Sequence, residues 1–433
     1  MTVAIVQQKE HENPIKKSIE MCDGFKKLKP DDKILIKPNL VVGGRKGFLP
    51  PFGKVTTAAV IRQLIECLKG AGCNNISIGE GSPVLKEIDC DTMSAFHYAG
   101  MDNVAKEYGV NLIDFEQMPY ESIKIDDHNF KISKSALEAD FLINVPVLKT
   151  HGQTIVSLGM KNLKGCLKFS SKKRFHKTNI LYRLIAHLNT VIRSDLTIID
   201  GTFGLDHGPS LGDAHPMGLI ITGTDTFETE LIGAALLGKN PQDIKHITEF
   251  AELMDRDINT KIEVSGCKVA DFVMDLPYEQ DFNRAFSKYN ITGIHVNHAP
   301  DDSTICSNCM ANIEFPNGMF AKDNAGRHFG GMDICLGMNS KADPNSNHTV
   351  LFGDCAIKNN QDVKNATLFR GCPPDMGEYY KFLVKSNLSK GIAIPQMMLR
   401  LLKMTGFKFG IYKENFGFWD NYQTEEFDLK LYE

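Results

Sequence analysis

The sequence predicts an α/β fold, a mostly parallel sheet with flanking helices, followed by a smaller α+β region. Three observations carry that expectation. Short apolar runs such as Lys33-Ile34-Leu35-Ile36 stop abruptly at Lys37-Pro38-Asn39-Leu40, as buried strands do. Stretches with helical spacing lie between such runs, which is the βαβ rhythm of a parallel sheet. Beyond residue 290 the pattern shifts to short strands that lead into cysteines, so the domains are placed at 1–290 and 291–433.

The first strand leads into a loop rich in glycine and proline, Val42 to Val55. Thr56-Thr57 then precedes Ala58 to Lys69, whose apolar residues recur at helical spacing. A threonine there can accept from a free N–H and cap the helix. Gly70-Ala71-Gly72 ends it, and Asn75-Ile76-Ser77-Ile78 is a second strand closing on Gly79-Glu80-Gly81-Ser82-Pro83. Met101 to Tyr108 reads as a helix and Val110 to Phe115 as a strand. Alternation from Ile123 to Ile132, around Asp126-Asp127-His128-Asn129, predicts a hairpin. Phe141 to Pro146, Leu196 to Gly201 and Gly218 to Gly223 are further strands, and Phe227 to Leu237 is a helix stopped by Gly238. Phe282 to Lys288 is placed as the link between halves. Strands follow at Ile291 to Ala299, Val350 to Gly353 and Thr367 to Arg370, with a helix at Met376 to Leu383. The tail is aromatic: Phe407, Phe409, Tyr412, Phe416, Phe418, Trp419 and Tyr422. It reads as a strap docked on the body or on a second subunit, so a homodimer is one expectation.

Composition narrows the classes. The 433 residues are 42% hydrophobic and 24% charged, an ordinary globular balance. A net charge of -4 and a pI near 6.4 argue against a general nucleic-acid binder. No apolar run approaches the ~20 residues of a membrane span. Met1 to Gln8 lacks the basic start and long apolar core of a signal peptide. Eleven cysteines without an export signal then point to a reducing cytoplasm, where they serve metals or lie buried.

In open α/β sheets, ligands bind beyond the carboxyl ends of the strands. Lys37 and Asn39, Glu80 and Ser82, Asn144, Lys149, His151 and Asp200 fall at such places, polar where the strands are apolar. Each alone reads equally well as a turn residue, and their shared position is what points to a site. Between Lys149 and Ser194 there is no Asp or Glu, while Lys149, Lys161, Lys164, Lys168, Lys172, Lys173, Arg174, Lys177, Arg183 and Arg193 all lie there. Lys161, Lys164 and Lys168 share a face if Val156 to Leu167 is helical. In a net acidic chain such a segment attracts a carboxylate, a phosphate or a nucleotide tail; the alternative is a solvated basic face. Neither GxGxxG nor GxxxxGK[ST] occurs, so dinucleotide and P-loop readings find no support.

The late cysteines are Cys306 and Cys309 in a CxxC pair, Cys355 in Phe352-Gly353-Asp354-Cys355, and Cys372 in Arg370-Gly371-Cys372-Pro373-Pro374. Four thiolates meet the needs of a [4Fe–4S] cluster or of structural zinc, and both readings stay open on spacing alone. Proline after the last thiol favours the cluster, because it fixes the chain and withholds a donor. Cys335 is a fifth candidate, or lies in a strand beneath the four. Cys22, Cys67, Cys73, Cys90, Cys166 and Cys267 read as small buried hydrophobes.

Several motifs come in a fixed order: Lys37-Pro38-Asn39-Leu40, the turn from Gly79 to Pro83, Asn144-Val145-Pro146-Val147-Leu148-Lys149-Thr150-His151, Lys161-Asn162-Leu163-Lys164-Gly165, and Asp200-Gly201 with Gly223-Thr224-Asp225. Together they resemble the prokaryotic proteins grouped as domain-of-unknown-function family 362, over about residues 30 to 240. The resemblance implies an iron–sulfur segment downstream, which agrees with the CxxC…C…GCPP layout. The repeated, closely spaced cysteines of the ferredoxin module common in relatives are absent, and Glu230 stands where many relatives have aspartate.

The expectation is therefore a cytoplasmic [4Fe–4S] oxidoreductase, suited to an oxygen-poor cell, acting on a small carboxylate or phosphate held near the cluster. Lys37, Asn39, Lys161 and Lys164 are the binding candidates. His151 is the acid–base candidate beside Lys149, oriented by Glu80 or Asp200. Two alternatives stay open: an electron-transfer module that docks a redox partner protein through the basic segment, and a non-redox enzyme with structural zinc or a structural cluster.

Overall fold

The computed structural model describes residues 2–41, 50–82, 91–125, 127–177, 181–299, 305–385 and 427–432. The chain forms two compact units, Met1–Tyr278 with Asn421–Glu433, and Glu279–Asp420. The aromatic tail residues Phe407 to Tyr422, together with Cys90, lie outside the described residues.

Among the described residues the larger unit holds twelve strands: β1 (Thr2–Gln7), β2 (Ile34–Pro38), β3 (Ile76–Glu80), β4 (Asn111–Asp114), β5 (Tyr120–Ile125), β6 (His128–Ser133), β7 (Phe141–Val145), β8 (Val147–His151), β9 (Ile155–Val156), β10 (Leu196–Leu205), β11 (Ala214–Gly223) and β12 (Glu263–Gly266). The main sheet runs β12-β1-β11-β10-β7-β2-β3-β4, with β8 on β10 and β9 on β8. It is parallel from β10 through β4, and antiparallel where β11 meets β10 and β1. β2, β3 and β7 are buried along their whole length, as strands covered on both faces must be. β5 and β6 form the expected hairpin. The helix Ala58–Gly70 buries Val60, Ile61, Leu64, Ile65 and Leu68, the i, i+3, i+4 stripe read from sequence.

Three local expectations are corrected. Thr57 occupies the N-cap of Ala58–Gly70 but makes no side-chain cap; its backbone N–H donates to Asp200 Oδ2 at 2.7 Å instead. Lys149 and His151 lie on β8, not in a loop beyond the preceding strand, because Pro146 interrupts the strand without ending it. Val156 to Leu167 is no continuous helix: β9 gives way to one α-turn, Gly159–Asn162, then a 3-10 turn, Leu163–Cys166. Lys161, Lys164 and Lys168 therefore do not line one helical face. Residues 2–7, whose apolar run is only four long, form a strand between β11 and β12.

Among the described residues the smaller unit has four strands, β13 (Thr292–Asn297), β14 (His328–Leu336), β15 (His348–Phe352) and β16 (Thr367–Phe369), paired in that order. All pairs are parallel, so this unit is α/β rather than α+β. The reason lies in the connections: helices Ser307–Asp323 and Asp354–Asn359 return the chain between neighbouring strands. Phe320, Phe329, Phe352 and Tyr379 fill its core. Phe282 and Phe286 belong to that core too, so the segment placed as a link is part of the unit.

Candidate anion site and thiol centre

The polar residues of the larger unit gather at the carboxyl ends of β2, β3 and β7. Lys37 on β2 is fully buried. Its three donors are all used: the ammonium pairs with Glu80, donates to Pro38 O at 2.7 Å, and reaches Asn162 Oδ1 at 3.3 Å. Asn162 Nδ2 in turn donates to Asn144 Oδ1 at 2.8 Å, and Asn144 Nδ2 to Gly159 O at 2.8 Å. This ladder ties the short turns at 159–166 to the sheet. Gly165 lets the backbone pass: a Cβ there would overlap Glu80 Oε1 and Lys37 Cε. Glu230, fully buried, accepts from Met160 N at 2.8 Å and faces His246 Nε2 at 3.1 Å, so it anchors the same turn.

Two other buried lysines are in a different position. Lys149 Nζ donates only to backbone carbonyls, Lys54 O at 3.1 Å and Pro209 O at 3.3 Å. Lys161 Nζ reaches only Ser157 Oγ at 3.3 Å. Among the described residues no carboxylate forms an ion pair with either. Burial pushes the Lys149 amine down to about 7, helped by the charges of Lys54 and Lys37. Burial, with Lys164 and Lys149 nearby, holds Lys161 well below the usual range. Lys54, from the loop before the helix Ala58–Gly70, is pushed by burial down to about 8, and Asp213 and Asp206 oppose that shift. Lys172 is also buried, donating to Gly81 O with Glu116 Oε1 at 3.9 Å.

The other expected residues are placed as follows. Asn39 is buried and donates to Lys54 O at 2.8 Å, which orients the loop carrying Lys54. Lys164 lies on the 3-10 turn, partly exposed. His151 is fully buried, and its Nδ1 accepts from Gln153 N at 3.0 Å. Glu80 and Asp200 do not orient it: Glu80 serves Lys37, while Asp200 Oδ1 accepts from Thr202 Oγ1 at 2.6 Å and Oδ2 from Thr57 N. Residues 427–432 close over this side. Phe427 stacks on Phe203 with ring centroids 5.3 Å apart, and Tyr432 packs edge-on to Phe52.

The sequence reading missed Lys54, Asp206, His207 and His215. Lys54 was hidden in a stretch read only as loop. The other three form a cluster after β10, whose one sequence trace is the spacing Asp206-His207…Asp213-Ala214-His215.

In the smaller unit the four late cysteines come from the carboxyl ends of β13, β15 and β16, the edge where open parallel sheets bind ligands. Cys306 occupies the N-cap position of the helix Ser307–Asp323 without a side-chain cap, and Cys309 lies in its first turn. Cys355 lies in the first turn of Asp354–Asn359. Two hydrogen bonds join the last two loops: Asp354 N donates to Gly371 O at 3.1 Å, and Gly371 N donates to the Asp354 side chain, Oδ1, at 2.9 Å. Asn312 Nδ2 adds a bond to Pro374 O at 2.8 Å, tying the first helix to the Cys372 loop. The four side chains influence one another: a hydrogen bond with Cys306, burial, and the charges of Cys306, Cys372 and Cys355 push the Cys309 thiol well above its usual range. Even so, among the described residues no three His, Cys, Asp or Glu side chains stand at a spacing that could hold a metal ion. Cys335 is not in this group. It lies buried in β14, with Sγ 3.5 Å from Asp333 Oδ2. Among the described residues no helix is long and apolar enough to cross a membrane.

The chain shows three similarities to known proteins. It is 26% identical over 225 residues to the thylakoid-associated protein sll1697 of Synechocystis sp., which is 50% of this chain and 66% of that relative, so the chain spans just under two thirds of its length. The lactate racemase apoprotein from Thermoanaerobacterium thermosaccharolyticum is a distant structural neighbour, at TM-score 0.32 and 13% identity over 77% of this chain and 68% of that one. Residues 34–235, which carry β2 through β11 and the ladder from Lys37 to Asn144, match the family described as Domain of unknown function (DUF362).

Proposed function

We propose that the larger unit binds a small carboxylate or phosphate, that the smaller unit holds a [4Fe–4S] cluster, and that together they serve as an iron–sulfur oxidoreductase. The observation that carries the anion half is the contrast between Lys37 and its neighbours. Lys37 has a carboxylate and two further acceptors, whereas Lys149 and Lys161 are buried without a carboxylate. An unpaired buried ammonium is costly, so such a site either sheds its proton or takes up an anion. A bound carboxylate or phosphate would supply the missing charge and favour the protonated amines. The ladder from Asn144 through Asn162 fixes the chain that carries Lys161, and Lys54 adds a further cation beside Lys149.

For the smaller unit, the residue types support the cluster, although the four thiols do not stand at metal-holding spacing in this arrangement. Cys306, Cys355 and Cys372 push the Cys309 thiol above its usual range, which speaks for their sharing one locality, and Cys306, Cys309, Cys355 and Cys372 would hold the cluster. When bound, the cluster would supply one-electron transfer. The protein's part is to carry the four thiols on hydrogen-bonded loops and short helices at strand ends. The test is twofold. Protein purified without oxygen should be brown and contain iron and acid-labile sulfide, and inorganic phosphate should raise its melting temperature. Colourless protein with stoichiometric zinc rejects the cluster; no stabilisation by phosphate or by small carboxylates rejects the anion site.

A further inference from the structure

We propose that Cys306 and Cys309 form a dithiol–disulfide pair that exchanges with small disulfides whenever no cluster is bound. The proposal does not rest on the cluster reading: it concerns what two of the same thiols do without iron.

The thiols are arranged as a pair rather than as a closed set of four. Of the three cysteines that act on Cys309, Cys306 hydrogen-bonds it, whereas Cys355 and Cys372 act through their charge. Among the described residues no three His, Cys, Asp or Glu side chains stand at metal-holding spacing. Cys306 takes the N-cap of the helix Ser307–Asp323, and Cys309 is its third residue. Side chains at those two positions face each other across the first turn, as the partners of a capping box do. Cys306 makes no side-chain cap bond, so its sulfur is left to Cys309.

The local frame holds the pair in place. Met310 N donates to Cys306 O at 3.0 Å, which closes the first turn on the cysteine. Ile305 and Met310, the residues just outside the pair on either side, are both buried in the core of the smaller unit. They occupy the positions of a hydrophobic staple, which fixes the angle at which the chain enters a helix. Both sulfurs belong to half-buried residues, so neither is sealed in the core. The free N–H groups at a helix start favour a charged sulfur there, and the first turn carries no acidic residue.

The exchange balances in two steps. The Cys306 thiolate attacks one sulfur of an external disulfide, forming a mixed disulfide and releasing one thiolate. Cys309 then loses its proton and attacks the Cys306 sulfur. The Cys306–Cys309 bond forms, the mixed disulfide breaks, and the second thiolate leaves. Two cysteines are oxidised, one external disulfide is reduced to two thiols, and the cysteine protons end on those thiols. Cys335, in the strand interior beside Asp333, takes no part.

The test uses the full chain, stripped of metal by anaerobic chelation, with glutathione disulfide as the probe. Intact mass and mapping of disulfide-linked peptides are the readouts. The unaltered protein should lose two hydrogens, with the bond mapped to Cys306–Cys309, and dithiothreitol should reverse the change. Cys309→Ser should instead accumulate a glutathione adduct on Cys306, because no second thiol releases it. Cys306→Ser should show neither the internal bond nor that adduct. Cys355→Ser and Cys372→Ser should keep the Cys306–Cys309 bond. No internal bond, a bond from either thiol to Cys355 or Cys372, or an adduct that persists in the unaltered protein overturns the proposal. Uptake of iron and sulfide by the reduced protein is read separately. Uptake without disulfide formation rejects the pair and leaves the cluster; disulfide formation without uptake rejects the cluster and leaves the pair.

Discussion

Replacing Lys149 with methionine separates a buried cation that awaits a ligand from one that merely fills space. The amine lies at 0% exposure, and its protonation falls from 10.5 to about 7. That difference costs the folded state about 5 kcal/mol at pH values below 7. Between pH 7 and 10 the unfolded chain holds this proton and the folded chain does not. Raising the pH therefore removes the penalty, at about 1.4 kcal/mol per pH unit. Lys149→Met keeps the length of the stem and drops the charge, so it should be more stable than the parent near pH 6. Its advantage should shrink by about 2–3 kcal/mol between pH 7 and 9. Lys54 contributes its own rise above pH 8 in both proteins, so the difference between them is the quantity to follow. Urea unfolding at half-unit pH steps, with and without phosphate, is the assay. At pH 6.5, phosphate at a hundredfold its dissociation constant should add about 2.7 kcal/mol to the parent and far less to the variant. A stability gap that does not change with pH, or equal stabilisation of both proteins by phosphate, refutes the reasoning.

Other outcomes follow from the same geometry. Glu80→Gln leaves the Lys37 ammonium buried with only neutral acceptors and should cost about 3–5 kcal/mol by urea unfolding, while Lys37→Met with Glu80→Gln should recover most of the loss. Gly165→Ala forces a methyl against Glu80 and Lys37 and should cost about 1–3 kcal/mol, read as a lower melting temperature. Cys355→Ser should lose most of the iron measured per chain, whereas Cys335→Ser, in the strand interior, should keep it.

The sequence made the frame of the fold legible because buried parallel strands leave apolar runs with sharp ends. β2, β3 and β7 were placed that way, and Met101–Tyr108 was located to the residue. Turns with little periodicity were not legible. The segment 156–167 looks helical by spacing, but glycines at 159 and 165 let it fold into short turns against Lys37 and Glu80. The order of the second sheet was hidden because its strands are short and the connection from β14 to β15 lacks a helix. At the site, charge content pointed to Lys149 and Lys161 but could not say which lysines would find carboxylates. That depends on which strand ends meet, and it is why Lys37 and Glu80 proved to be partners. The Asp206 cluster left almost no trace in sequence, because its residues belong to two strand ends brought together by one turn.

The account depends most on the late cysteines, and the decisive measurement is iron and sulfide counted per chain after strictly anaerobic purification, with low-temperature electron paramagnetic resonance of the reduced protein. About four of each, with a cluster signal that Cys306→Ser abolishes, is the predicted result. Stoichiometric zinc, or a metal-free protein that takes up neither iron nor sulfide on reconstitution, contradicts it.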